Sequence, residues 1–199
     1  GAETLLLASP RDLLAPQDWS PDGRSLLYVK VDPKSSADLW ALPMTNTGDR
    51  RPFPIVNTVF TEREGQFSPD GKWVAYRSDR LGRNDIYAQP FPGPGGVTPL
   101  STAGGTQPRW RSDSKELFYI ALDDWMTAVP ILGSDGQSMR VGAPTRLFPS
   151  RMAYRNIENS YLYAVANDGQ RFLIEQASER GAATLTVVRK WQAANNANK

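Results

Sequence analysis

The chain contains no cysteine and no histidine among its 199 residues. Without thiols there are no disulfides, thiolate nucleophiles or sulfur-ligated metals, and the redox compartment stays open. Without imidazole, Ser-His-Asp triads, Cys-His dyads, histidine zinc sites and the ordinary near-neutral general base are excluded. Carboxylate, lysine and tyrosine chemistry is what remains. Charge of one sign is lacking too: 23 Lys and Arg stand against 21 Asp and Glu, a formal net charge of +2. That balance gives no long-range field to select nucleic acid or an anionic membrane surface, so neither is expected as a partner. No apolar run approaches the roughly 20 residues of a membrane helix. The start Gly1-Ala2-Glu3-Thr4 has neither the basic nor the apolar region of a signal peptide. No membrane insertion of this segment is expected, and the chain reads as a piece of a longer protein.

What is present is a repeat. Trp19-Ser20-Pro21-Asp22-Gly23 returns as Phe67-Ser68-Pro69-Asp70-Gly71, then as Trp110-Arg111-Ser112-Asp113-Ser114 and Val165-Ala166-Asn167-Asp168-Gly169. The four aspartates are 48, 43 and 55 residues apart, a period that signals β-propeller blades or a related array. Ser-Pro-Asp-Gly suits a hairpin turn: Ser bonds locally, Pro presets φ, and Gly takes the left-handed conformation.

Each turn is followed by a short apolar strand: Leu26-Leu27-Tyr28, Val74-Ala75-Tyr76, Leu117-Phe118-Tyr119 and Phe172-Leu173-Ile174. Third strands follow as Leu39–Pro43, Ile86–Pro90 and Met126–Pro130, with Thr184–Trp191 as a less faithful copy. Proline at the far end of the first three places those ends at a sheet margin. Outer strands follow at Pro54–Val56, Val97–Leu100 and Thr145–Phe148. The expectation is an all-β fold, a β-propeller of about four four-stranded antiparallel blades, either closed or part of a larger propeller. Blade 1 covers about 15–57, blade 2 about 64–102, blade 3 about 106–150 and blade 4 about 158–191; residues 193–199 form a flexible tail. Blade 4 is either completed by a strand over residues 3–9, containing Thr4–Ala8, or lacks its outer strand.

The repeated aspartates suggest a carboxylate ring for Ca²⁺, but each sits in a turn that gives Asp a local bonding role; no metal and no cofactor are expected. Asp38 and Asp85 open third strands and are read as braces for the loop between the second and third strands. Asp123-Asp124 and Glu62-Arg63-Glu64 hold paired acids, but neighbours on a strand point to opposite faces, so no glycosidase pair follows from them. The tryptophans and tyrosines at matching positions, Trp19, Trp40, Trp73, Trp110, Tyr28, Tyr76, Tyr87 and Tyr119, read as packing between blades. Residues beside the first-strand aromatics approach the central channel, which makes Asp18, Gln66 and Arg109 candidates. The loops on the face where propellers bind partners hold Arg63, Arg80, Arg83, Arg151, Tyr154 and Arg155, residue types enriched in binding hot spots. No catalytic residue is assigned.

Phe67–Tyr76, Ser78-Asp79-Arg80 and Asn84-Asp85-Ile86-Tyr87 resemble the WD-repeat-like propeller repeats of the TolB type. Gln89–Gly96, Gln107-Pro108-Arg109-Trp110 and Glu116–Tyr119 are similar to the C-terminal propeller of bacterial serine/threonine protein kinases. The resemblance implies a non-catalytic binding or sensor module of a larger bacterial protein, on the periplasmic side, with a protein or small-molecule ligand on the propeller face. The alternative is the substrate-gating propeller of a prolyl-oligopeptidase-like hydrolase whose catalytic domain is absent. Open blade edges point to a homodimer.

Overall fold

The computed structural model describes residues 3–33, 36–44, 50–152, 161–177 and 183–189, in which every regular element is a strand. The first sheet is β1 (Leu13–Trp19), β2 (Ser25–Val31), β3 (Ala37–Pro43) and β4 (Phe53–Val56), in that order. The second is β5 (Glu62–Phe67), β6 (Trp73–Ser78), β7 (Asp85–Pro90) and β8 (Thr98–Pro99). The third holds β9 (Gly105–Trp110), β10 (Glu116–Ala121), β11 (Trp125–Ser134), β12 (Met139–Val141) and β13 (Thr145–Pro149). The fourth is β14 (Tyr163–Val165), β15 (Arg171–Ala177) and β16 (Ala183–Arg189). All pairings are antiparallel between neighbours in sequence, apart from β13 on β11, which is the wiring of propeller blades.

The turn that counts the blades is built as its residues dictate. The Ser20 hydroxyl donates to Asp22 Oδ1 at 2.6 Å and accepts the Ser25 N–H at 2.9 Å, and the Gly23 N–H closes on the Ser20 carbonyl. Ser68, Asp70 and Trp73 repeat this at 2.6 and 3.0 Å, and Gly23 and Gly71 have φ of 71° and 70°. In the third turn Ser114 takes the glycine's place at φ 59°, and Arg111 replaces the serine by gripping both Asp113 oxygens at 2.8 and 2.9 Å.

Both faces of an inner sheet are apolar because each is covered by a neighbour. Leu27, Val29 and Leu39 of the first sheet meet Phe67, Val74 and Tyr76 of the second. Trp73, Ala75 and Ile86 meet Trp110, Leu117 and Tyr119. Phe118 and Met126 meet Tyr163, Phe172 and Ile174, with the Phe118 and Phe172 rings edge to face at 5.0 Å.

Two expectations are corrected, and one of two alternatives for blade 4 is not formed. Residues 3–9 form no strand; Thr4–Leu7 line a space with Leu14, Pro16, Leu26, Tyr28 and Leu42 of the first sheet. Pro130 does not end its strand: β11 runs on to Ser134 and turns back as β12, a hairpin whose Gln137 carbonyl accepts the Gly96 N–H of the second sheet. Trp19 is not packed between blades; it is 51% exposed, because no sheet precedes the first one among the described residues.

Candidate functional site

The first strands β1, β5 and β9 share a bulge that interrupts the pairing register between Pro16 and Asp18, Arg63 and Gln66, and opposite Phe118 and Ile120. Glu64 and Gln107 sit in it with φ of 56° each, a left-handed conformation that breaks side-chain alternation and re-aims the residue. The result is two ladders of bonds from one sheet to the next. In the first, Asp18 Oδ2 accepts the Phe67 N–H at 2.9 Å and Gln66 Oε1 accepts the Trp110 N–H at 3.0 Å. In the second, Glu64 Oε2 accepts the Gln107 N–H at 2.6 Å and Gln107 Oε1 accepts the Leu162 N–H at 2.8 Å.

The first ladder stops at Arg109. A guanidinium has donors only, so Arg109 cannot repeat the bond that Asp18 and Gln66 make from the same register. It lies instead over the Tyr161 ring, 3.6 Å from guanidinium carbon to ring centroid. Its Nε is buried and has no hydrogen-bond partner among the described residues. Tyr161 comes from the start of the fourth sheet, and its hydroxyl points to the Gly65 carbonyl across the cluster.

Around this pair the charges are coupled. Burial pushes the Tyr161 hydroxyl well up, and the charges of Arg109, Glu64, Asp18 and Arg77 all act on it. Burial raises the Glu64 carboxyl above its ordinary range; the Arg77 charge at 3.6 Å and the Gln107 N–H pull the other way. Burial likewise raises Asp18, opposed by the Phe67 and Trp19 N–H groups and by Arg109. Both carboxylates are thus held by backbone N–H groups, while the Arg109 Nε has no acceptor among the described residues.

The sequence candidates divide into distinct environments. Asp18, Gln66 and Arg109 share the inner register described above. Arg63 is nearly buried and stands opposite Arg77 across the β5–β6 pair. Arg80 lies over the Tyr87 ring at 4.8 Å. Arg83 binds Asp85 Oδ2 at 2.9 Å and the Thr102 carbonyl at 3.2 Å, bracing two loops. Arg151 is exposed, with φ 51° and its carbonyl accepting the Ala177 N–H. Tyr154 and Arg155 lie outside the described residues. Asp38 accepts the Thr58 N–H and Asp85 the Ser101 hydroxyl, so each third strand is tied to the loop after the fourth strand and not, as expected, mainly to the loop before it; Asp85 meets that earlier loop through Arg83.

Glu62 and Glu64 are separated in role by the bulge. Glu62 Oε1 accepts the Thr58 and Ser78 hydroxyls, whereas Glu64 turns to Gln107 and Arg77. Asp123 pairs with Arg146. Among the described residues no cluster of three or more Asp or Glu could hold a metal ion. Sequence reasoning took Glu64 only as one of a pair of acids, and did not single out Arg77, Gln107 or Tyr161. The only signal for Glu64 and Gln107 was their shared position three residues before the strand-ending Phe67 and Trp110.

Four antiparallel sheets packed face to face, with their first strands joined around a common inner surface, define an arc of a β-propeller. No protein-family model matches the chain. It is similar to the crystal structure of TolB from Acinetobacter baumannii, with a TM-score of 0.67 at 19% identity, over 92% of this chain and 42% of that one. It is also similar to a Mycobacterium tuberculosis puromycin-hydrolyzing peptidase, with a TM-score of 0.63 at 17% identity, over 88% of this chain and 29% of that one. The chain therefore spans less than half the length of either structure, and the likeness is one of fold.

Proposed function

We propose that this chain is a non-catalytic binding module, a propeller segment of a larger bacterial protein such as a TolB-like protein or a serine/threonine kinase. Its ligand engages the inner surface at Arg109. The observation that carries this is the interrupted ladder: two positions of one register staple sheets together, and the third places a guanidinium, stacked on Tyr161, where the others place an acceptor. Arg109 is only partly buried, and a carboxylate on the ligand meets a guanidinium with a charge-assisted bond. The ligand class is therefore an acidic peptide or another carboxylate-bearing molecule.

The test is isothermal titration with a nine-residue Glu-rich peptide and its Lys-rich counterpart. The acidic peptide binds saturably and Arg109→Gln weakens it roughly tenfold or more, since a bond to a charged group is worth about 1.5–3 kcal/mol. Equal binding of both peptides, or no effect of R109Q, overturns the reading. A second reading, the substrate gate of a prolyl-oligopeptidase-like hydrolase, is favoured by the likeness to the mycobacterial peptidase. A parent polypeptide carrying a Gly-x-Ser-x-Gly elbow supports that reading; a kinase segment rejects it.

A further inference from the structure

Arg109 has a counterpart on the neighbouring sheet. Arg77 Nε is buried and makes no hydrogen bond among the described residues, and the carboxylate oxygen paired with it, Glu64 Oε1, stands 3.6 Å away. At that distance the two form an ion pair without a hydrogen bond. Glu64 is held from closing the gap, because its other oxygen takes the Gln107 N–H at 2.6 Å and its backbone sits at φ 56° in the bulge. Arg77 is balanced by a neighbouring charge while its Nε stays unclaimed.

Arg77 and Arg109 act at one place. The charges of both reach the Tyr161 hydroxyl, as do those of Glu64 and Asp18, and Arg109 stacks on that ring. The ionised groups sharing the surface are Arg63 on β5, Arg77 on β6 and Arg109 on β9, against Asp18 on β1 and Glu64 on β5. Tyr161 and Tyr163 complete the set, and burial pushes both hydroxyls up, so they stay neutral. Accessibility decides which member of the ion pair a ligand meets. Arg77 keeps 14% of its side chain exposed and Glu64 only 5%, so an incoming carboxylate touches the arginine and is repelled by the glutamate.

Taking Arg109 as a ligand contact, on which this rests, we propose that Arg77 is a second anchor for the ligand's carboxylates and that Glu64 is the built-in competitor that sets their affinity. An ionised Glu64 offsets Arg77 and repels the ligand. A neutral one leaves the full charge of Arg77 to the ligand. Burial raises the Glu64 carboxyl, so affinity for an anionic peptide rises as pH falls through that raised value.

Isothermal titration of the full chain with the Glu-rich peptide tests this. At neutral pH Arg77→Gln weakens binding roughly tenfold or more, the worth of a charge-assisted bond. Glu64→Gln keeps an oxygen for the Gln107 N–H and strengthens binding roughly threefold, the scale of one partly screened charge pair. Between about pH 5.5 and 8, where the peptide's own carboxylates stay ionised, the wild type tightens as pH falls and E64Q is level. Asp18→Asn leaves the wild-type slope in place. A Glu64 that only holds strands in register gives a loss or no change in E64Q, not a gain. Far-ultraviolet circular dichroism checks folding; should R77Q unfold, the double variant R77Q/E64Q removes the ion pair together and binds more weakly than E64Q alone. Binding unchanged by R77Q, a double variant equal to E64Q, no gain in E64Q, or a slope abolished by D18N and kept by E64Q overturns the proposal. Any of these with R109Q still weakening the peptide leaves the Arg109 reading standing, whereas binding insensitive to R109Q ends both.

Discussion

At the scale of single residues, the turn hydroxyls have the clearest consequence. Ser68 both donates to Asp70 and accepts the N–H of buried Trp73, so Ser68→Ala leaves a buried donor unpaired. The expected loss is about 1–3 kcal/mol in urea unfolding. Titration has opposite signs at two carboxyls. The Arg111 guanidinium holds Asp113 down at about 2, so its small contribution is present above the ordinary Asp range and is lost as pH falls through about 2. Glu64 is raised by burial, so the folded state binds its proton more tightly than the unfolded chain. Stability from Glu64 is greatest below the unfolded value and declines as pH rises through the raised one. Glu64→Gln cannot ionise but keeps an oxygen for Gln107. Unfolding from pH 3 to 7 should therefore show the wild type losing ground to E64Q as pH rises; the reverse slope contradicts the assignment.

At the scale of elements, the ladders between first strands decide how sheets stay in register. Asp18→Ala strands the Phe67 N–H and Gln66→Ala strands that of Trp110, each costing about 1–3 kcal/mol. Asp18→Asn keeps the acceptor and costs less; equal losses in D18A and D18N on chemical unfolding count against the staple. The repeat made the sheets legible, because turn chemistry and the alternation of Leu27, Ala75 and Phe118 are local patterns. The bulge was not legible, because Glu64 and Gln107 differ chemically and their shared φ comes from a residue inserted into the ladder. The sequence placed Asp18, Gln66 and Arg109 in one register but could not show that the first two bond the next strand's backbone while the third cannot. The β11–β12 hairpin was hidden by Pro130, because the equivalent prolines Pro43 and Pro90 do end their strands while β11 runs on to Ser134.

At the scale of the whole molecule, four sheets pack face to face around an inner surface of coupled charges. The proposed function places the ligand on that inner surface, at Arg109. The most direct test of the binding claim is amide chemical-shift mapping of the Glu-rich peptide titration on the full chain, with the peptide's mass followed alongside. The account predicts saturable shifts concentrated on β5, β9 and residues 161–163, weakened roughly tenfold or more by R109Q, with the peptide intact throughout. Shifts confined to the outer strands, binding unchanged by R109Q, or cleavage of the peptide would contradict it.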